Sequence, residues 1–176
     1  MYVQKSRYQK GFTVLELGMV LVLVALIMVP MFNRFMDSRD KDLAKAEVDL
    51  WTAIATNSQD KYALEPDYTG VTHTTMKGLD IFPATMLSGT SIINKAKGTV
   101  TCAAVDVTAT KDGLECTSTN YPKTMCNAVA VKLATVMRKI TVGSTVVKAA
   151  DVGTDMAGLS TACAATSNTL KFVIPK

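Results

Sequence analysis

The sequence predicts an α+β protein. One long N-terminal helix, membrane-spanning in its first half, packs its second half on an antiparallel sheet in a C-terminal globular head. Three observations carry this expectation. From Leu17 to Asn33 there is no charged residue, and residues 37–62 become charged yet keep helical periodicity. Residues 98–120, "GTVTCAAVDVTATKDGLECTSTN", then alternate apolar and polar side chains around a turn sequence.

The N-terminus is a basic region followed by an apolar one. Residues 1–11, MYVQKSRYQKG, carry Lys5, Arg7 and Lys10 and no acidic residue. The apolar run after them leads into Pro30-Met31-Phe32-Asn33-Arg34, with no small-residue A-x-A-like site for a secretory signal peptidase. The segment is therefore expected to stay on the protein as an anchor. Phe12 to Phe32 as a helix covers about 31 Å, enough for a hydrocarbon core of about 30 Å. Positive charge stays on the cytoplasmic side, which sends the rest of the chain outward. A buried core helix would lack these basic flanks. One residue resists this simple picture: a carboxylate within a spanning helix costs about 2.5–3.5 kcal/mol on insertion scales, so Glu16 calls for a counter-charge.

Beyond Arg34 the helix is expected to continue as an amphipathic segment to residue 62. Leu43, Ala46, Leu50, Ala53 and Ile54 form its apolar face, widened by Val48 and Trp51, with Asp40, Lys41, Lys45 and Asp49 elsewhere. Pro30 removes one backbone hydrogen bond and is expected to kink or loosen the junction. Residues 63–176 form the head. From Tyr62 to about Lys123, Thr, Gly, Asp and Asn with breakers at Pro66, Gly70, Gly78, Pro83, Gly89, Gly98 and Gly113 predict short elements and loops. Within residues 98–120 a hairpin is expected to turn near Lys111-Asp112-Gly113, so that Cys102 and Cys116 face each other across its strands. The periodicity of residues 124–140 predicts a helix with Val129, Leu133, Val136, Met137 and Ile140 on one stripe, Cys126 in its first turn and Gly143 at its end. Residues 144–150 read as a strand, followed by a Gly- and Thr-rich loop, Cys163, a turn at Ser167-Asn168 and a last strand, "TLKFVIP".

Composition excludes several functions. The net charge of +4 comes mostly from the three basic residues before Gly11, so the body is nearly neutral and shows no basic stripe for nucleic acid. Four cysteines, none in a C-x-x-C, and a single histidine, His73, give no metal-ligand spacing and no sign of a cofactor. Two disulfides are the better reading, and they place the head in an oxidising compartment. No G-x-S-x-G, P-loop or paired carboxylates point to catalysis; Asp151 and Asp155 fit a solvated loop.

Lys10-Gly11-Phe12-Thr13-Val14-Leu15-Glu16 ahead of an uncharged helix resembles the class III signal of type IV pilins and their relatives. The resemblance implies the pilin fold and cleavage between Gly11 and Phe12 by a prepilin peptidase that methylates the new N-terminus. It also implies a helical homopolymer in which Glu16, fifth in the mature chain, neutralises the Phe12 amine of a neighbouring subunit. Residues 124–176 are similar to the cysteine-bounded region of type IVb pilins, which implies a Cys126–Cys163 disulfide and leaves Cys102 with Cys116. The eleven-residue leader is shorter than type IVb leaders and the Phe12 start follows the type IVa habit, so the sequence leaves the subclass open. The implied function is a major pilin of a type IV, IVb-like pilus serving adhesion, aggregation or conjugation-type contact. Its precursor would sit in the inner membrane of a Gram-negative bacterium, with assembly machinery as partner, and its final place would be the extracellular filament. A minor pilin or a type II secretion pseudopilin shares the N-terminal features, and a membrane-tethered periplasmic enzyme or receptor is a more remote alternative.

Overall fold

The computed structural model describes residues 14–176. The chain divides into two units, the first ending at Ser38 and the second running from Arg39 to Lys176. Helix α1 (Val14–Lys61) is 48 residues long and continues through Pro30. In the first unit its apolar side chains, from Val14 to Met36, are all exposed. Among the described residues α1 is the helix long and apolar enough to cross a membrane, by length and composition.

The second unit is built on a five-stranded antiparallel sheet in the order β3-β4-β7-β5-β6. Its strands are β3 (Val100–Val105), β4 (Gly113–Tyr121), β5 (Lys139–Val142), β6 (Thr145–Lys148) and β7 (Asn168–Pro175). Before it come a short helix α2 (His73–Gly78) and a two-stranded hairpin, β1 (Leu87–Ser88) with β2 (Ser91–Ile92). Helices α3 (Lys123–Leu133) and α4 (Met156–Ala162) flank the β5–β6 hairpin in sequence. One row of paired residues crosses the inner face of the sheet, Cys102–Cys116–Phe172–Ile140, and all four are buried. The Trp51 ring of α1 packs on it, 5.0 Å from the Phe172 ring centroid. The corresponding outer row, Thr101–Thr117–Lys171–Thr141, keeps polar side chains toward solvent, as expected of a sheet with one covered face.

Several expectations are corrected. The buried face of α1 in this unit is Ala44, Glu47, Trp51, Ile54, Ala55 and Ser58, while Leu43, Ala46, Leu50 and Ala53 are only partly covered. Ile54 and Trp51 are buried as expected, and the face is rotated away from the rest of the expected stripe because Trp51 packs on Phe172 and Glu47 is hydrogen-bonded to Tyr121 of the sheet. The helix expected over 124–140 ends at Leu133; Met137 is buried beyond it, and Ile140 belongs to β5, paired with Phe172. Ladder hydrogen bonds to β7 outweigh the 3.6-residue apolar period there. Gly143 does not end a helix. It opens the two-residue turn between Val142 and Thr145 at φ +59°, where a type II′ hairpin turn needs glycine. The β3–β4 connection is a seven-residue loop, and the positive φ falls on Lys111, with Gly113 already in β4. The Gly- and Thr-rich loop contains α4, capped by the Asp155 side chain accepting from the Gly158 N–H.

Candidate assembly helix and disulfide-braced head

Gly11 and Phe12 lie outside the described residues. Glu16 sits in the first turn of α1, exposed like the apolar side chains around it. A carboxylate near a helix N-terminus also interacts favourably with the helix dipole.

The head is closed by two disulfides. Cys102 and Cys116 are directly opposed on β3 and β4, with Cα atoms 4.0 Å apart. Cys126, in the first turn of α3, joins Cys163, which follows α4, across 5.8 Å between Cα atoms. All four cysteines are buried, and no described cysteine is free.

A buried carboxylate at the helix–sheet contact is the feature that the sequence reading missed. Glu47 Oε1 accepts from Trp51 Nε1 at 2.7 Å and from the Tyr121 hydroxyl at 2.5 Å, and Oε2 accepts from the Lys95 N–H at 2.8 Å. Glu47 and Trp51 are four residues apart, so one helix face presents both. Tyr121 reaches them because β4 shifts register between Ser118 and Tyr121, with Asn120 at φ +69°. That irregularity resets the alternation of the strand and turns Ser118 and Tyr121, three residues apart, to the same buried side. Burial, and then the Glu47 charge, push the Tyr121 phenol well above its ordinary pKa.

A second polar cluster ties two loops at one end of the sheet. Arg138 reaches Asp112 Oδ2 and Thr108 Oγ1, each at 3.0 Å, and approaches Asp151 at 3.7 Å. The Thr108 hydroxyl, donating at 2.6 Å, together with backbone N–H groups of the loop, holds the Asp112 carboxyl well below the usual range. This brace ties the 106–112 loop to Arg138, the residue just before β5. Among the described residues no group of three or more His, Cys, Asp or Glu side chains could hold a metal ion.

A family model described as PilS N-terminal matches residues 41–175, a span that takes in the head portion of α1, both disulfides and all the strands described above. The chain belongs to the PilS N-terminal family. Among solved structures, the crystal structure of the type IV b pilin from Salmonella typhi shares its fold, with a TM-score of 0.57 at 17% identity over 73% of this chain and 97% of that one. A search of curated proteins finds no match. The chain is thus a member of a pilin-related family with the fold of a type IVb pilin, as the sequence resemblance implied. Membership in this pilin family implies a structural subunit that self-polymerises. The apolar helix of the pilin is consistent with a membrane-anchored precursor and an extracellular pilus. Residues 1–40 of the pilin lie outside the matched span.

Proposed function

We propose that this pilin is the major subunit of a type IVb-like pilus that makes surface contacts of the adhesive, aggregative or conjugative kind. One observation carries the reading: the first unit of α1 buries none of its apolar stretch within its own fold. A continuous apolar surface of this size needs another cover, lipid in the precursor and helices of other copies in the filament. Residues 1–11 act as a leader, residues 12–33 as the spanning and assembly segment, residues 34–62 as the amphipathic part of the helix and residues 63–176 as the head. Prepilin peptidase cuts between Gly11 and Phe12 on the cytoplasmic side of the inner membrane and methylates the new amine. In the filament that cation meets the Glu16 carboxylate of a neighbouring subunit. Opposite charges brought together in an apolar core attract strongly and set the axial register between copies.

The test is the intact mass of the subunit recovered from surface material. A chain beginning at Phe12 with one added methyl group is expected, and a bulky substitution at Gly11 should leave uncut precursor in the inner membrane. A chain starting at Met1 or cut after Pro30 would refute the processing scheme.

A further inference from the structure

The outer face of the sheet is not solvated everywhere. Beside the polar row Thr101–Thr117–Lys171–Thr141 runs the row Ala103–Glu115–Val173–Lys139, and Val173 within it is buried. Gly113 makes this cover possible. A Cβ there would lie 2.6 Å from Val107 Cγ2 and 2.8 Å from Val173 Cγ1, so its absence lets Val107 close over Val173. The result is a groove of about 380 Å³ with an apolar base of Val105, Val107 and Val173, bordered also by Ala149 and Ala150. One residue braces both borders. Arg138 holds the 106–112 loop through Asp112 and Thr108, each at 3.0 Å, and reaches Asp151, next to Ala150, at 3.7 Å. A groove built in advance spares a ligand the cost of ordering it.

Its charges are not balanced. Asp106 pairs with Lys111 at 3.1 Å and Glu115 with Lys171 at 3.7 Å. Lys139 also lines the groove, is half-buried, and among the described residues has no carboxylate within 4.0 Å and no hydrogen-bond acceptor. That ammonium calls for an anion. Asp106 and Glu115 keep lone pairs that accept O–H or N–H donors, and they repel a second anion. The base takes a short apolar group. A fatty acid brings the anion but no donors for the two carboxylates. A polypeptide strand finds no open sheet edge here, because the Ala104 N–H donates to the Val71 carbonyl and the Asp155 N–H to the Val147 carbonyl. A sugar acid brings all three groups in one small molecule.

We propose that this outer-face groove binds a sugar acid: the carboxylate sits on the Lys139 ammonium, hydroxyls donate to Asp106 and Glu115, and a short apolar substituent such as an N-acetyl methyl rests on Val105 and Val107. As the contact a pilus makes, the site rests on the surface-contact function proposed above. The binding itself is measured on the subunit, so its failure leaves that function standing.

The experiment is NMR of the full chain in uncharged detergent micelles, with isotope-labelled valine methyl groups, titrated with N-acetylneuraminic acid. The Val105 and Val107 methyls should shift. In Lys139→Gln the affinity should fall about ten- to a hundredfold, the worth of one hydrogen bond to a charged group. Lys132→Gln, changed at an exposed lysine of α3, should bind as the wild type does. N-acetylglucosamine, which lacks the carboxylate, and acetate, which lacks the sugar, should each bind at least about tenfold more weakly. No shift at millimolar sugar acid, or full affinity in Lys139→Gln, overturns the site. An equal loss in Lys132→Gln reduces the effect to general charge attraction and overturns it too. Equal binding of N-acetylglucosamine removes the part given to Lys139, and equal binding of acetate leaves a site for any carboxylate; either result overturns the assignment to a sugar acid.

Discussion

Replacing Cys126 and Cys163 together by alanine tests how the head is held. The bond joins residues 37 apart in sequence, and the chain-entropy relation for a loop of that length gives about 4 kcal/mol of stabilisation through the unfolded state. The Cys102–Cys116 bond joins residues 14 apart, for which the same relation gives about 3 kcal/mol. The two loops do not overlap in sequence, and the bonds fasten different elements, α3 to α4 in one case and β3 to β4 in the other. Against a domain stability of about 5–15 kcal/mol, the longer loop is a large share. Urea unfolding of the full chain in micelles can be followed by the only tryptophan, Trp51, which sits against Phe172 on the inner sheet face. With a slope of about 2 kcal/mol per molar urea, the midpoint should drop by about 2 M. The Cys102→Ala, Cys116→Ala pair should lose somewhat less. A loss below about 1 kcal/mol for the longer loop, or a larger loss for the shorter, would refute this reasoning.

Further outcomes are expected. Glu16→Gln should leave membrane insertion and head folding intact and lower filament yield per mature subunit; wild-type yield would separate Glu16 from assembly. Gly98→Ala should destabilise the head by about 1–3 kcal/mol in thermal unfolding, because an added Cβ would lie 1.9 Å from the Thr119 carbonyl oxygen, whereas Gly153→Ala, with no atom within 4 Å, should cost much less. Stability should fall as pH rises above the ordinary tyrosine pKa of about 10. There the unfolded chain releases the Tyr121 proton that the native state retains, and Tyr121→Phe should flatten that limb in pH-dependent unfolding.

The parts of this fold legible in the sequence were those written in local patterns. An uncharged run with basic flanks announces α1, and alternation with two cysteines around a turn announces the β3–β4 hairpin. The elements missed or misplaced depend on distant partners. Val136, Met137 and Ile140 continue a helical period, yet β7 draws Ile140 into a strand. Asp155, three residues before Gly158, is an N-cap signal for α4 that Gly- and Thr-rich surroundings concealed. Glu47 was missed because periodicity assigns acidic residues to the solvated face. Its spacing of four from the only tryptophan was the available clue, but the donors that make its burial tolerable come from Lys95 and Tyr121, and no local pattern announces them.

The most direct test of the central claim is to shear surface filaments from cells making this protein and examine them by electron microscopy together with quantitative mass spectrometry of their subunits. Filaments composed overwhelmingly of this chain are expected, and they should disappear when it is deleted. Filaments made of another subunit in which this chain is only a trace component, or undiminished filaments after its deletion, would contradict its role as the major pilin.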